Sequence, residues 1–391
     1  MRALASILLF LLALAPAAAQ APAALLAADS EAQWVPFDLT PGNQIRFNMT
    51  VNGRPATAVL DTGVSYTVAS QRFADALGLR QVVAGRAEAI GGSVPLGWAS
   101  VESLAIGGLS RTGGRVAVAD LKAIATGGAE PIEVLVGSDL LRAHALDIDY
   151  DARRFRLLRS GRLPFAGATV PLRVAPDSGV FLSEIAIGAR RIRPLIVDTG
   201  DGSAVTLAKG AIEPAALSNV AVTSAYAFGL GGGIETDLTV LPTMRMAGMT
   251  ARNVELRIEP HGGFSTVTGT AGRIGSALLQ RYRVLIDAKA GRMVLRPGKA
   301  IDRAPLKSTS GLLIAYQDKA LTVLHVMRNS PAAAGGWQAG ERICSIDGAP
   351  VPADYLTSRI AAWPAGAPGR IVKLGLCGER GDRALTLAHF Y

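Results

Sequence analysis

The sequence predicts a mostly β protein in which one β unit occurs twice and a smaller unit follows. Short apolar runs alternate with frequent glycine turns, and few long helical periods interrupt them, a pattern typical of antiparallel sheet. The order of these runs between residues 36 and 159 returns between residues 169 and 297. After residue 298 the repeat is lost and the composition shifts, which indicates a separate unit.

Each copy of the repeat opens with a predicted hairpin that leads into the same three residues. In the first copy Asn52-Gly53 joins two apolar runs, and Asn-Gly in that setting is a strong hairpin signal. In the second copy Gly188-Ala189 takes the same place. The returning strands run directly into Asp61-Thr62-Gly63 and Asp198-Thr199-Gly200, which are 198 − 61 = 137 residues apart.

Later features of the two copies keep this register. Segments 135–141 and 273–279 both read as an apolar strand, Gly-Ser and paired leucines, and their glycines are 275 − 137 = 138 residues apart. One short helix per copy is predicted, such as Ser70 to Leu77. Between these anchors each copy carries a glycine cluster flanked by candidate strands, which suits a mobile hairpin tip. The glycines concerned are Gly91, Gly92, Gly231 and Gly232.

Two acidic loops that face each other have a defined chemistry. Carboxylates held a few ångströms apart in a partly desolvated cleft cannot both ionise cheaply, so they share a proton, and one acts as a base while the other acts as an acid. Asp61 and Asp198 are therefore the candidate catalytic residues. A lone Asp-Thr-Gly is a common turn triplet. Two copies in register, each at the end of an apolar strand, are much harder to assign to chance.

Neighbouring residues of both loops are candidates for support of the carboxylates. Gly63 and Gly200 let the backbone pass close to them because glycine has no Cβ. Thr62 and Thr199 can hydrogen-bond across the axis that relates the copies, which gives the fixed geometry that proton sharing requires. Ser65 adds a hydroxyl close to the first loop.

An apolar strand that runs into Asp-Thr-Gly, a glycine-rich hairpin and a later apolar-apolar-Gly element resembles one lobe of the retropepsin and pepsin-like aspartic proteases. The resemblance covers two pseudo-symmetric lobes, residues 36–162 and 163–298. It implies a bilobal aspartic endopeptidase in which Asp61 and Asp198 activate one water to attack a peptide carbonyl, with the glycine clusters as flaps over a polypeptide substrate. It also implies a catalytic unit that works as a monomer, without a metal or a cofactor.

The second loop departs from the family pattern. It continues as Asp201-Gly202-Ser203 and is one residue longer than the first loop. If Asp201 points inward, its charge raises the apparent pKa of the pair. The alternative is that Asp201 caps a turn. Neither glycine cluster has an aromatic tip.

The C-terminal segment, residues 311–391, follows a linker over residues 299–310. Its Ser-Pro-Ala-Ala at 330–333 and its Gly-Glu-Arg-Ile to Ile-Asp-Gly run at 340–348 resemble, in this order, a bacterial PDZ domain, a small α+β fold. That family binds an extended peptide or a C-terminus as an added strand. The resemblance implies a groove built by Gly311, Leu312, Leu313 and Ile314. The alternative, a unit used only for packing or dimer contact, stays open.

The N-terminal residues 1–19 are predicted to be a secretory signal. An apolar run follows Arg2 and ends in small residues up to Ala19, after which cleavage is expected. An uncleaved anchor stays open as an alternative, because a single Arg precedes the run. Residues 20–35 then form an N-terminal extension. The protein is predicted to be exported, either to the periplasm or out of the cell.

Charge and cysteine content exclude two other classes of function. The formal net charge is +9, but the basic residues are scattered singly, so no nucleic-acid partner is expected. The chain has two cysteines, Cys344 and Cys377, and four distant histidines, which argues against a structural zinc site. The two thiols could pair in an oxidising compartment, and the sequence leaves this open.

Three accounts of function follow. The first is an active exported aspartic endopeptidase whose PDZ-like domain recruits substrate or regulates activity. The second, suggested by the unusual loop at Asp201, is a catalytically inactive peptide-binding or scaffold protein of the cell envelope. The third pairs each lobe with its twin in another chain.

Overall fold

A computed structural model of the chain describes residues 23–122 and 131–391. The predicted signal segment, residues 1–19, lies outside the described residues. Strands dominate the described part, which confirms the mostly β prediction, and they are arranged in four sheets. No helix within the described residues has the length and apolar character needed to cross a membrane.

The N-terminal extension and the first copy together contribute fourteen strands and two α-helices to the described part of the chain. The strands are β1 (Ala23–Leu26), β2 (Val35–Pro36), β3 (Asp38–Leu39), β4 (Ile45–Val51), β5 (Arg54–Leu60), β6 (Val68–Ser70), β7 (Gln81–Ala89), β8 (Gly92–Ser100), β9 (Ser103–Ile106), β10 (Leu109–Thr112), β11 (Arg115–Ala119), β12 (Val134–Val136), β13 (His144–Asp149) and β14 (Arg154–Arg159). The helices are α1 (Gln71–Ala76) and α2 (Ser138–Leu141). The first sheet has the order β1-β10-β9-β4-β5-β12-β6-β11-β8-β7, with β3 on β4. Its edge strand β1 comes from the predicted N-terminal extension.

The second copy supplies eleven strands, two α-helices and two 3₁₀ turns. The strands are β15 (Ala168–Pro171), β16 (Arg173–Val174), β17 (Phe181–Ile187), β18 (Arg190–Asp198), β19 (Val205–Ala208), β20 (Thr223–Gly229), β21 (Gly232–Met246), β22 (Met249–Glu259), β23 (Gly272–Gly275), β24 (Tyr282–Asp287) and β25 (Arg292–Pro297). The helices are α3 (Phe264–Val267) and α4 (Ser276–Leu279), and the 3₁₀ turns are Lys209–Ala211 and Pro214–Leu217. The second sheet has the order β16-β17-β18-β23-β19-β22-β21-β20.

The two sheets repeat one topology. The order β4-β5-β12-β6-β11-β8-β7 in the first corresponds strand by strand to β17-β18-β23-β19-β22-β21-β20 in the second. In both sheets the strand that leads into Asp-Thr-Gly lies parallel to the strand of the later glycine element. The repeat in the sequence is thus a repeat in the fold.

A third sheet joins the copies. Its order is β15-β25-β24-β13-β14-β2, and the strands from the two copies meet at the antiparallel pair β13 and β24. Phe155, Ile148 and Val284 on one face are fully buried and belong to the same core as the apolar residues of both larger sheets. Burial of each such side chain stabilises the fold by about 2 kcal/mol. This shared core holds the two Asp-Thr-Gly loops in a constant relation.

Local sequence explains how the elements around the loops begin and turn. Asn52 and Gly53 have φ of 51° and 73°, as a type I′ hairpin turn requires. The helix predicted from Ser70 is confirmed as α1, and the Ser70 hydroxyl accepts from the Phe73 amide at 3.2 Å as its N-cap. The second copy also contains short helices, α3 and α4, but none at the place of α1. Two 3₁₀ turns occupy that place, because Gly210 and Pro214 disfavour a continuous α-helix.

The C-terminal unit contains the fourth sheet. Its elements are β26 (Leu312–Gln317), β27 (Ala320–Val326), α5 (Pro331–Ala334), β28 (Arg342–Ile346), β29 (Ala349–Pro350), 3₁₀ turns at Tyr355–Thr357 and Arg359–Ala365, β30 (Ile371–Leu376) and β31 (Asp382–Thr386). The sheet order is β26-β27-β28-β30-β31, with β29 on β28. Cys344 and Cys377 form a disulfide, with their Cα atoms 5.1 Å apart. Thr309 and Ser310, from the predicted linker, are buried and donate to the Pro364 carbonyl, so they pack as part of this unit.

Candidate active site

The two Asp-Thr-Gly loops are joined by reciprocal hydrogen bonds. The Thr62 amide donates to the Thr199 hydroxyl at 3.1 Å, and the Thr199 amide donates to the Thr62 hydroxyl at 3.1 Å. Each hydroxyl in turn donates across the interface, Thr62 to the Val197 carbonyl at 2.6 Å and Thr199 to the Leu60 carbonyl at 2.7 Å. Both threonines are fully buried. These four bonds determine the relative position of the two loops.

The carboxyl groups of Asp61 and Asp198 lie side by side between the loops. A Cβ at Gly63 would stand 2.4 Å from Asp198 Oδ2, and a Cβ at Gly200 would stand 2.3 Å from Asp61 Oδ2. Each loop therefore passes directly against the carboxyl group of the other, and only glycine leaves room for this approach.

Backbone amides orient one oxygen of each carboxyl group. Gly63 N donates to Asp61 Oδ1 at 3.0 Å, and Gly200 N donates to Asp198 Oδ1 at 3.0 Å. Asp198 Oδ1 accepts a further bond from Asp201 N at 3.0 Å. Equivalent amides therefore support the two carboxyl groups, those of Gly63 and Val64 at Asp61 and those of Gly200 and Asp201 at Asp198.

Burial dominates the electrostatics of the pair. Burial raises the pKa of Asp61 to about 6 from an ordinary value of 3.8, and the Asp201 charge adds to the increase. Burial, and then the charges of Asp61 and Asp201, raise the pKa of Asp198 well above its ordinary value. Two adjacent carboxyl groups in this environment retain a shared proton to higher pH than a free carboxyl group does.

Asp201 adopts both of the roles that the sequence left open. It caps its own loop, because its Oδ1 accepts from Ser203 N at 2.9 Å. It also points inward, where its Oδ2 accepts from Arg273 Nε at 2.9 Å. Burial acts to raise the pKa of Asp201, but the Arg273 charge and the bonds from Ser203 outweigh it and lower that pKa. Asp201 is thus a buried anion beside the pair.

Arg273 connects Asp201 to a second buried acid. Its Nη1 donates to Glu259 Oε1 at 2.8 Å, and its Nε lies 3.9 Å from Asp198 Oδ2. Sequence reasoning missed both Arg273 and Glu259. The available signal was the Arg at the start of Arg-Ile-Gly, where the first copy has an apolar residue at Leu135.

The glycine clusters lie at two hairpin tips that meet each other. Gly231 N donates to the Ile90 carbonyl at 2.9 Å, and a Cβ at Gly91 would stand 2.4 Å from the Gly232 carbonyl. Gly92 approaches Gly231 in the same way. Small residues thus give the two tips, called here the flap tips, a close backbone contact that side chains would prevent.

Asp61 and Asp198 line one cleft of about 950 Å³, together with Ile90 and Leu230 beside the flap tips. The four predicted flap glycines are not among the residues that line it. Both copies contribute to its walls, so neither copy alone forms it. Ser65 also lines the cleft. Its carbonyl oxygen, not its hydroxyl group, accepts a hydrogen bond from Ser138 Oγ at 3.1 Å. Within the described residues, no hydrogen bond joins the Ser65 hydroxyl to either carboxyl group.

The residues predicted to bind a peptide at the C-terminal unit lie away from this cleft. Leu312, Leu313 and Ile314 belong to β26, which is at the edge of its sheet and pairs with β27 alone among the described strands. The Gly311 amide donates to Ser308 Oγ at 2.9 Å, and the Leu312 amide donates to Ser310 Oγ at 3.1 Å. A carboxylate at these amides would have to displace the two serine hydroxyls.

The C-terminal unit contacts the hairpin that carries the second flap tip. Ser224 Oγ on β20 lies 2.8 Å from His325 Nε2 on β27, and the Thr223 hydroxyl donates to the Arg328 carbonyl at 2.6 Å. The Tyr226 ring, which lines the catalytic cleft, lies 5.6 Å from the His325 ring. No local pattern in the sequence indicates this contact, because the partners are about 100 residues apart.

Comparison with known families places this geometry in a class. Residues 47–140 match the family model described as Aspartyl protease. The matched segment includes the Asp61 loop and the first flap tip, and it supports an aspartyl protease of the retropepsin-like type. A search of curated proteins found no match. The match covers less than half of the chain, and together with the mostly β fold it supports a protease at the level of the family.

Proposed function

We propose that this protein is an exported aspartic endopeptidase in which Asp61 and Asp198 activate one water molecule. The observation that carries the proposal is the reciprocal bonding of Thr62 and Thr199, which brings the two carboxyl groups against each other. Burial of both groups supports the proton sharing that the chemistry requires. The two lobes are residues 36–162 and 163–298.

The proposed reaction uses the single proton and the single charge of the pair. The ionised carboxylate accepts a proton from the water as its oxygen attacks the peptide carbonyl carbon, and the protonated carboxyl group donates its proton to the carbonyl oxygen. A neutral tetrahedral diol results. One diol hydroxyl then returns a proton to the ionised carboxylate, and the other, protonated carboxyl group donates its proton to the amide nitrogen. The C–N bond breaks, and the acid and the amine are released. The flap tips part to admit substrate and then exclude bulk water.

Digestion of an unfolded polypeptide by the purified chain tests the proposal. We expect cleavage that is blocked by a peptide whose scissile amide is replaced by a secondary alcohol, because the hydroxyl resembles the tetrahedral intermediate. The matched peptide with a methylene at that place serves as the control. Saturable peptide binding without cleavage between roughly pH 3 and pH 8 would instead support the inactive scaffold.

The rate per mole of enzyme is expected to stay constant on dilution. Asp61 and Asp198 meet within one chain, and Thr62 and Thr199 join the loops directly. A steady-state assay from about 1 μM to about 1 nM enzyme measures this, because an intermolecular site loses activity by mass action over that range. A steep fall on dilution would favour the lobe-swapped arrangement.

The acidic limb of the pH profile is expected near pH 6. At a pH below the first pKa of the pair, both carboxyl groups are protonated and no base is present. That limit lies near pH 6 because burial raises the pKa of Asp61 to about 6. Activity should therefore rise through pH 6 and fall at higher pH, where the second proton leaves. The measurement is kcat/KM against pH with a peptide that has no ionisable side chains. A maximum below pH 4 would contradict this electrostatic account.

Export and peptide recruitment are further parts of the proposal. The pattern over residues 1–19 and the Cys344–Cys377 disulfide both support an oxidising compartment outside the cytoplasm. The free edge of β26 supports strand addition by a peptide, and the contact of His325 with β20 gives such binding a route to the second flap. A peptide that binds the C-terminal unit should therefore change KM for a short substrate in trans.

A further inference from the structure

The two halves of the cleft differ in charge at matching positions. Three places are equivalent in the two sheets. They are the residue after each Asp-Thr-Gly, the residue two positions before each later glycine, and the last residue of β11 or β22. In the first copy all three are apolar, and in the second all three are charged. The first set is Val64, Leu135 and Ala119, and the second is Asp201, Arg273 and Glu259.

The charged set forms one buried network around Arg273. The Arg273 guanidinium is 2% exposed and bonds Asp201 at 2.9 Å and Glu259 at 2.8 Å. The second Glu259 oxygen accepts from the Ser265 amide at 2.8 Å. The network reaches the catalytic pair at Asp198, both through Arg273 Nε at 3.9 Å and through the Asp201 amide at 3.0 Å.

Stability alone does not account for this network. Desolvation of buried ions costs several kcal/mol each, and apolar replacements of similar size are often neutral or stabilising. The first copy shows that apolar residues fit these places, since Val64, Leu135 and Ala119 occupy them in the same topology. A role in the chemistry of Asp198 accounts for the charges.

We propose, resting on the peptidase function above, that Asp201, Arg273 and Glu259 are positioning residues that assign the shared proton to Asp198 and leave Asp61 as the base. Two acids and one Arg give the network a net charge of −1 when all three are ionised. The network contacts Asp198 directly, through Arg273 Nε and the Asp201 amide, whereas at the equivalent places beside Asp61 the first copy has the apolar residues Val64 and Leu135. In a buried site a nearby negative charge favours the neutral form of a carboxyl group.

The charged groups that face Asp198 come from three elements. Asp61 faces it from the first loop, Asp201 from its own loop and Arg273 from β23, while Glu259 on β22 acts through Arg273. The negative charges of Asp61 and Asp201 raise the pKa of Asp198 after burial, and Arg273 opposes them. Because Arg273 is shared with two acids, its effect on Asp198 is reduced.

Two substitutions should move the pH profile in opposite directions. Asp201→Asn removes a negative charge and frees Arg273 to face Asp198, so both limbs of kcat/KM should shift by about one pH unit to acid. Arg273→Gln removes the positive charge, so the limbs should shift to the alkaline side. Asp201→Asn retains the cap on Ser203. If Arg273→Gln does not fold, the pH profile of Asp201→Asn alone tests the inference. Asp139→Asn breaks the Arg111 pair of the first copy, at 3.0 Å, and should lower stability without moving the profile.

A second measurement assigns the proton to a residue. The ¹³C resonance of the Asp198 carboxyl group, identified by its absence in Asp198→Asn, should report a protonated group at pH 7, and Asp201→Asn should move its titration to acid. An unshifted profile in Asp201→Asn, or an ionised Asp198 beside a protonated Asp61, would overturn the inference while wild-type cleavage keeps the peptidase function. Absence of cleavage by the wild type would instead remove the function itself.

Discussion

Asp61→Asn and Asp198→Asn should each lower kcat/KM by about 10³-fold or more. Each variant removes one of the two groups that exchange protons with the water and the amide, and general acid–base groups that act as a unit have effects of this size. The measurement is kcat/KM on one peptide substrate at the pH optimum of the wild type. Two variants that cleave as fast as the wild type would show that these carboxyl groups are not the catalytic pair.

The same variants should be more stable than the wild type at pH 7. A partly buried Asp61 with a pKa of about 6, against 3.8 when unfolded, costs stability once the unfolded chain ionises. Asp61→Asn removes a penalty of about 3 kcal/mol. The sign follows from the raised pKa. The gain in stability of Asp61→Asn over the wild type is complete above about pH 6 and disappears below about pH 4.

Thermal unfolding at pH 3.5 and pH 7 measures this dependence. We expect the Tm of Asp61→Asn to exceed that of the wild type at pH 7 only. Asp147→Asn is the control, because Asp147 is buried but paired with Arg283 at 2.8 Å, so its loss should lower Tm. A lower Tm for Asp61→Asn at pH 7 would show that burial of the carboxyl group costs nothing.

Gly63→Ala and Gly200→Ala should abolish most activity while they leave both carboxyl groups in the chain. The added Cβ would stand 2.4 Å from Asp198 or 2.3 Å from Asp61, so the carboxyl group must move or the loop must retreat. Displacement of a catalytic group by about 1 Å costs about 10²-fold. The measurement is kcat/KM for each variant, with Tm as the readout of the strain.

Gly210→Ala is the matched control for these substitutions. A Cβ at Gly210 meets nothing within 4 Å and its φ is not in the left-handed region, so activity should stay within about twofold of the wild type. If Gly63→Ala also remained within twofold, the close packing of the loops against the carboxyl groups would be wrong. Reduced activity in all three variants would indicate a general loss of folding.

The repeat and the paired loops could be predicted from the sequence because each is a local pattern. Asn52-Gly53 requires one turn type, and an apolar strand before Asp61 or Asp198 defines where each loop begins. The topology then follows from the same order of elements in both copies.

Features that combine distant segments could not be predicted in this way. Asp201, Glu259 and Arg273 come from three elements, and no local pattern shows that their side chains meet. The contact of Gly231 with Ile90 depends on how the two copies are oriented, which the shared core determines. The pairing of Cys344 with Cys377 was left open for the same reason.

A crystal structure of the wild-type chain with the secondary-alcohol peptide tests the central claim most directly. The hydroxyl oxygen should lie within about 3 Å of a carboxyl oxygen of both Asp61 and Asp198, because it occupies the place of the attacking water. A hydroxyl that contacts one carboxyl group alone, or a peptide bound outside the cleft, would contradict the claim that the two acids act as one pair.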